Sequence, residues 1–417
     1  MLRIINIGRL VGIVPEGVLR KQGAEMAQTG VLEDAWLEIE DGRIKGFGEM
    51  RFPDSALRAP LEMTNHSGQT DDMVDAEGGM VMPAFCDSHT HIVYAGSRAG
   101  EFLDKIEGLS YEEIAARGGG ILNSADLLHE TSEEGLFRQA MERVGEMVRQ
   151  GTGAIEIKSG YGLNPADELK MLRVIRRIKE TSPALIRPTF LGAHAVGRGY
   201  THEAYVQAIV DMMPDTAALA DFVDVFCDEG FFTPEDTDRI LTAAARYGLR
   251  PKIHANELAV SGGVQAGVRH QALSVDHLER TTEAEIEALK GTGTMPTMLP
   301  GTSFFLGLPY GRAKDFIHAG LGVALASDYN PGSAPSGDMR FVMALGCIQM
   351  RLTPVEAFNA CTLNSAYAMG VSDVTGSITP GKRADFILTR PGWTLTNLPY
   401  LHHSPFIRQV FLQGLPQ

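Results

Sequence analysis

The sequence predicts an α/β protein whose centre is a parallel sheet of eight strands, with a small β-module built from both chain ends. Three observations carry this. Short apolar strands alternate with amphipathic helices through the middle of the chain. Short β segments bounded by turn residues sit at both ends. Histidines and aspartates recur where the central strands end, the face on which barrels build their sites. The boundaries expected are 1–79 for the N-terminal part of the β-module, 80–370 for the central domain and 371–417 for the C-terminal part of the module.

At the amino end, Leu2–Ile13 and Ala35–Ile44 alternate apolar and polar residues, and Glu40-Asp41-Gly42-Arg43 has the Asp-Gly signature of a tight hairpin. A polar stretch rich in Ser, Asn and Gly lies at 62–72. At the carboxyl end, Ala384–Leu388 and Gln409–Leu412 read as strands, with Thr379-Pro380-Gly381-Lys382 as a turn. The central strands expected are Met80–Cys86, Gly153–Lys158, Arg187–Gly192, Phe222–Cys227, Pro251–Ala255, Leu273–His277, Gly293–Met298 and Gly322–Ser327.

Helices are expected between them. Glu134–Arg149 carries Leu136, Ala140, Val144 and Val148 at four-residue spacing, an apolar stripe. Pro165–Glu180 opens on a proline, and Thr233–Arg246 follows a Thr-Pro-Glu-Asp cap signal. Thr282–Leu289 and Asp338–Met350 come later. A chain of 417 residues can hold a barrel of roughly 250 residues with a small module attached. Eight strands with intervening helices point to a barrel, although an open doubly wound sheet meets the same periodicity.

Composition narrows the function. Apolar residues make up 44% and charged residues 21%, so a large core needs no disulfide. A net charge of −15 argues against nucleic acid, because phosphate binding needs a basic surface. An anionic small-molecule substrate would then require a local cation. Cys86, Cys227, Cys347 and Cys361 form no CxxC pair and read as thiols in a reducing compartment. No run of ~18 apolar residues suggests a membrane span, and the first residues are too short and alternating for a signal peptide. A cytoplasmic enzyme is expected.

The pair His89-x-His91 has the period of a strand, so both imidazoles point to one side, which suits chelation of a first-row metal. Alone the pair is a weak signal. Taken alone, His254 is more often a hydrogen-bonded core residue, and Asp328 more often the cap of the turn Tyr329-Asn330-Pro331-Gly332. Together the four make a one-metal site of three nitrogens and one carboxylate, suited to Zn²⁺ or Fe²⁺. Glu257 and His277 add an acid and an imidazole for proton transfer and oxyanion stabilisation. Their plainer roles are a charge near the helix expected from Ser261 and a core histidine. Lys158 could be a carbamylated bridge between two metals, but the fourth strand offers no lysine, so one metal is preferred. Asp276 and Glu279 are expected to point away or pair locally.

Three features concern the substrate. Arg98, in Tyr-Ala-Gly-Ser-Arg, could grip a carboxylate through two parallel hydrogen bonds, though a lone Arg is more often a surface ion-pair partner. Tyr111 and Tyr161 could donate to, or stack on, a small ring. Gly118-Gly119-Gly120 is a flexible loop and a poor phosphate cradle, since no Lys-Ser/Thr follows.

The motifs Asp-Ser-His-Thr-His (87–91), Lys-Ser-Gly-Tyr-Gly (158–162), Gly-Ala-His-Ala (192–195), His-Ala-Asn-Glu (254–257), Asp-His-Leu-Glu (276–279) and Ser-Asp-Tyr-Asn-Pro-Gly-Ser (327–333) occur in order. In this the sequence resembles the imidazolonepropionase family, a branch of the amidohydrolase superfamily that acts in histidine degradation. The resemblance runs from about residue 80 to 390, and Lys-Ser-Gly-Tyr-Gly with Gly-Gly-Gly-Ile is its most specific part. It implies a (β/α)8 TIM-type barrel with a β-sandwich from both termini, and a possible homodimer. It implies metal ligands His89, His91, His254 and Asp328. It places Arg98 on the propionate carboxylate, with Tyr161, His194 and Glu257 near the ring and Asn330, Gly332 and Ser333 lining the pocket. The mechanism implied has Asp328 accept a proton from water, His277 steady the oxyanion, and Asp328 or Glu257 deliver the proton to the leaving nitrogen.

Two other readings share these residues. A guanine- or cytosine-type deaminase would use the same metal set, but a neutral base would not need Arg98 with Tyr161. A scaffold that kept the barrel and lost its chemistry would be expected to have lost ligands, and all four are present.

Overall fold

The computed structural model describes residues 1–50, 72–109, 113, 117 and 119–417. Tyr111, Gly118 and nearly all of the polar stretch 62–72 lie outside them.

Among the described residues sixteen strands fall into two eight-stranded sheets. β1 (Leu2–Ile13), β2 (Gly30–Glu40), β3 (Arg43–Glu49), β4 (Asp72–Asp75) and β5 (Gly79–Pro83) come from the amino end, and β14 (Phe386–Pro391), β15 (Ile407–Leu412) and β16 (Leu415–Pro416) from the carboxyl end. The order is β16-β15-β14-β5-β1-β2-β3, with β4 paired beside β1. Asp41 and Gly42 turn β2 into β3 with φ of 51° and 73°, both left-handed, as the Asp-Gly pair predicts. The amide of Ile44 donates to Lys382 O and that of Ala384 to Gly42 O, so the sheet curls until β3 meets the approach to β14. Its inward side chains, among them Ile4, Leu37, Val81, Phe386 and Phe411, form a core of their own.

The second sheet runs in chain order, all parallel: β6 (Phe85–Asp87), β7 (Thr152–Lys158), β8 (Leu185–Ala193), β9 (Phe222–Cys227), β10 (Arg250–Ala255), β11 (Ser274–His277), β12 (Met295–Met298) and β13 (Ala324–Leu325). Just beyond its first and last strands the ring closes. The Asp328 amide donates to His89 O at 3.0 Å and the His91 amide to Tyr329 O at 2.9 Å. The carboxylate of Asp87 accepts from the Ser327 amide at 3.0 Å and from its hydroxyl. An open doubly wound sheet is thereby excluded: the molecule is a (β/α)8 barrel. The stretch 80–86, expected as one strand, is two. Pro83 has no N–H to continue a ladder, and after it the Ala84 amide donates to Asp385 O while that of Phe85 donates to Gly151 O, passing the chain from one sheet to the other.

Helices alternate with the strands, and their starts follow the cap residues. Ser132 accepts from Gly135 N before helix 133–149, and Asn164 from Asp167 N before helix 165–181. Thr233 and Asp236, and Thr282 and Glu285, make reciprocal capping boxes. Leu136, Ala140, Val144 and Val148 are buried, as the stripe predicts.

Within the strands every second residue faces the barrel axis. At that register stand Glu156, Lys158, Asp224, Lys252 and Asp276, all fully buried, where aliphatic layers usually fill a barrel.

Because Asp87 is buried and joins the two ends of the ring, Asp87→Ala strands the Ser327 donors. It should lower stability by about 2 kcal/mol, read as a fall in the thermal unfolding midpoint. An unchanged midpoint would show that the seam does not depend on this carboxylate.

Candidate active site

Four barrel strands deliver imidazoles or a carboxylate to one point. His89 and His91 follow β6, His254 lies in β10, His277 ends β11 and Asp328 follows β13. The Nε2 atoms of His89 and His91 are 3.2 Å apart, and Asp328 Oδ1 lies 3.6 and 3.4 Å from them. The rings of His89 and His254 are centred 4.4 Å apart. His277 and Asp328 both have left-handed backbones, with φ of 85° and 56°. Such strain in side-chain-bearing residues is held in place by the surrounding barrel.

Beneath the imidazoles lies a closed network of charge. Asp276 Oδ2 accepts from His89 Nδ1 at 2.7 Å, so Asp276 neither points away nor pairs only locally. Asp224 Oδ2 lies 2.9 Å from His254 Nδ1. Lys158 Nζ donates at 2.7 Å to both Glu156 and Asp224, and Lys252 Nζ donates to Glu156 and, at 3.0 Å, to Ser88 O. Burial opposes the Lys158 charge, but Asp224, Glu156 and Asp276 outweigh it and raise its pKa. Lys158 is thus an ammonium held between two carboxylates.

The three imidazoles above this network are neutral. Burial pulls His89 and His91 well below the ordinary histidine pKa, and takes His254 down to about 4 against the pull of Asp224. His277 differs. Burial opposes its charge, yet Glu257 and Glu279 raise its pKa well above the usual value, with Glu257 Oε2 3.6 Å from Nε2 and Glu279 Oε1 3.3 Å from Nδ1. Burial raises Glu257 to about 7 and also raises Asp328. Asp328 accepts from Thr302 Oγ1 at 2.5 Å. It does not cap its turn with its side chain: Asn330 does, accepting from the amides of Gly332 and Ser333 at 2.8 Å each.

A cavity of about 380 Å³ opens above, and every site residue expected from the sequence lines it except His89, which lies below, and Tyr111, which is outside the described residues. His194 stacks on His91 with ring centres 5.2 Å apart, and its Nδ1 is 3.0 Å from Gly160 O. Arg98 is not free, because its Nε and Nη2 donate to Glu101 Oε2 at 2.9 and 2.5 Å. A Cβ on residue 332 would come within 2.3 Å of Arg98 Nη1, which explains glycine there.

A model of the Amidohydrolase family matches residues 80–415. The imidazolonepropionase of Flavobacterium johnsoniae is 49% identical over 417 residues, 99% of this chain and 98% of its own. The chain belongs to the imidazolonepropionase family of amidohydrolases. The imidazolonepropionase of Geobacillus kaustophilus is 39% identical over 374 residues, covering 87% and 85% of the two chains. A zinc-bound adenosine deaminase from Xanthomonas campestris superposes with a TM-score of 0.72 at 16% identity, over 100% of this chain and 92% of that one, a likeness of fold.

The donors of this family member fit a divalent cation. His89, His91 and His254 bring ligand atoms within 4.8 Å of one another, as do His89, His277 and Asp328. With Nδ1–H of His89 donating to Asp276, its Nε2 lone pair is left facing His91 Nε2 and Asp328 Oδ1, a grouping of donor atoms that a cation fits. The buried Nε2 of His254 has no hydrogen-bond partner.

Several functional residues escaped the sequence reading. Glu168 accepts from the amides of Gly160, Gly162 and Leu163 at 2.7–3.1 Å, pinning the loop that carries Tyr161. Asp228 does the same for the amides of Glu257, Leu258 and Ala259 at 2.8–3.1 Å. Lys105, Phe226 and Phe231 line the cavity. Glu156 and Lys252 were missed as well, and for these the signal was the polar alternation Glu-Ile-Lys and Lys-Ile-His inside apolar strands.

Asp276→Asn keeps the size of the side chain but weakens its hold on His89. Affinity for a divalent metal should fall by about tenfold to a hundredfold, measured by competition with a chelator. Unchanged metal retention would show that Asp276 does not orient this ligand.

Proposed function

We propose that the chain hydrolyses the ring amide of 4-imidazolone-5-propanoate to N-formimidoyl-L-glutamate, a step of histidine degradation. The observation that carries this reading is the near-full-length identity of 49% to an imidazolonepropionase. The cavity supports it, with neutral imidazoles and a carboxylate at its floor and a cation on its wall. In this reading His89, His91, His254 and Asp328 hold one divalent ion, Zn²⁺ or Fe²⁺. Bound there, such an ion polarises a carbonyl and lowers the pKa of water toward neutrality.

The residues of the chain do the rest. Arg98 takes the propionate carboxylate, while Tyr161 and His194 flank the ring and Asn330, Gly332 and Ser333 shape the wall around it. Asp328, the carboxylate nearest the imidazoles, accepts the proton of the attacking water. His277, kept charged by Glu257 and Glu279, donates a hydrogen bond to the carbonyl oxygen as negative charge develops there. Glu257, poised near neutrality by burial, can hold a proton for the leaving ring nitrogen, a task it shares with Asp328. The surroundings of the site are of a piece with this: a deaminase acting on a neutral base would gain nothing from Arg98.

Among the described residues no helix is long and apolar enough to cross a membrane. A cytoplasmic location is in keeping with four cysteines that form no disulfide. A homodimer is part of the same family-based reading, to be tested by sedimentation.

The deciding experiment is hydrolysis of imidazolonepropionate by metal-depleted and metal-reconstituted protein. Activity should be lost on depletion and return with Zn²⁺ or Fe²⁺; ammonia release from guanine or cytosine without loss of imidazolonepropionate would sink the proposal. His277→Ala should lower kcat by about a hundredfold or more with bound metal unchanged. Loss of metal in that variant would make His277 a ligand instead.

A further inference from the structure

Helix 99–106 carries Arg98 at its start and Lys105 in its last turn, seven residues apart and so on one face. Both side chains line the 380 Å³ cavity and a smaller one of about 270 Å³ that adjoins it. We propose that Lys105 is a second cationic contact for the substrate's carboxylate, so that the anion is held between its ammonium and the Arg98 guanidinium. The inference rests on the functional reading above and adds to it a specificity-determining residue.

The first argument is that Arg98 is partly committed. Its Nε and Nη2 both donate to Glu101 Oε2, and the other oxygen of Glu101 accepts from the Gly120 amide at 3.1 Å. The Nε–Nη2 edge of the guanidinium is therefore turned to Glu101, leaving the Nη1–Nη2 end, with Nη1 lying against Gly332. With part of its donors and its charge committed to Glu101, Arg98 holds a second anion less firmly, and a further cation offsets that loss.

Lys105 is placed to be that group. Its Nζ donates to Gly332 O at 3.4 Å and lies 5.7 Å from the centre of the Phe305 ring. Gly332 is thus the common neighbour of both cations, which brings them within reach of one carboxylate. Among the described residues no carboxylate lies within ion-pair distance of Lys105, whereas Arg98 has Glu101. Burial and then the neighbouring Arg98 pull its pKa below that of an ordinary lysine, against the opposing pull of Glu101. Arg98 and Lys105 are the two Arg or Lys side chains among the described residues that line this cavity, in a chain of net charge −15. An anion bound between them relieves their repulsion and meets the one positive spot an acidic protein must supply.

A lysine in the last turn also suits the helix dipole, a purely structural role. Kinetics separate the two. With imidazolonepropionate, Lys105→Met should raise KM about tenfold while kcat stays within about twofold. Lys105→Arg should restore KM, Lys105→Glu should raise it further, and the rise of KM with salt should flatten in Lys105→Met. With the carboxamide analogue, wild type and Lys105→Met should have the same KM. Equal KM values for the anionic substrate in wild type and Lys105→Met would overturn the inference, as would an equal rise for acid and amide. Failure of the wild-type protein to hydrolyse imidazolonepropionate would overturn the functional reading and this inference together.

Discussion

The site depends on five charges sealed inside the barrel. Glu156, Asp224 and Asp276 share the ammoniums of Lys158 and Lys252, and none of the five is exposed. Burying charge costs several kcal/mol per ion, and ion pairing offsets that cost without making it the most stable filling for a core. Aliphatic layers would hold the barrel at least as well. What they could not do is orient imidazoles. Asp276 accepts a hydrogen bond from Nδ1–H of His89, and Asp224 sits beside Nδ1 of His254, so the Nε2 atoms turn upward to a common point. Despite burial, the neighbouring His254 and Lys158 hold the Asp224 carboxyl well below the usual carboxylate range, which lets it act as an acceptor.

Backbone amides gathered by carboxylates serve the same end one layer higher. Glu168 collects three amides of the 160–163 loop and Asp228 three of the 257–259 loop. Each loop would otherwise leave buried donors unpaired. The result is that Tyr161 and Glu257 stand on anchored turns. Gly160 O, held in the first of these, lies against His194 Nδ1 and so sets which nitrogen of His194 faces the cavity. The last loop works differently, with Asn330 folding Gly332 and Ser333 back on itself and the missing Cβ at 332 making room for Arg98.

Much of this was legible in the order of residues. Short apolar runs set between helical patterns marked seven of the eight barrel strands to within a few residues, because strands covered on both faces are apolar along most of their length. Period and caps together placed the long helices. The run at 80–86 misled, since it stays apolar across Pro83 while the hydrogen-bond partners change sheets. Asp276 misled for a related reason: beside His277 in the chain it reads as local, yet adjacent residues on a strand face opposite ways, and Asp276 points across the axis to His89.

By itself the sequence determined the alternating pattern, the imidazoles and carboxylates at the strand ends, and hence the class of chemistry, since these follow from local geometry and residue type. Only the tertiary structure decided which residues share protons. The pairs His89–Asp276, Lys158–Asp224 and Asp87–Ser327 are separated by 187, 66 and 240 positions. Nothing in the local chemistry of either partner names the other; closure of the ring brings them together and shuts out the water that would otherwise screen them.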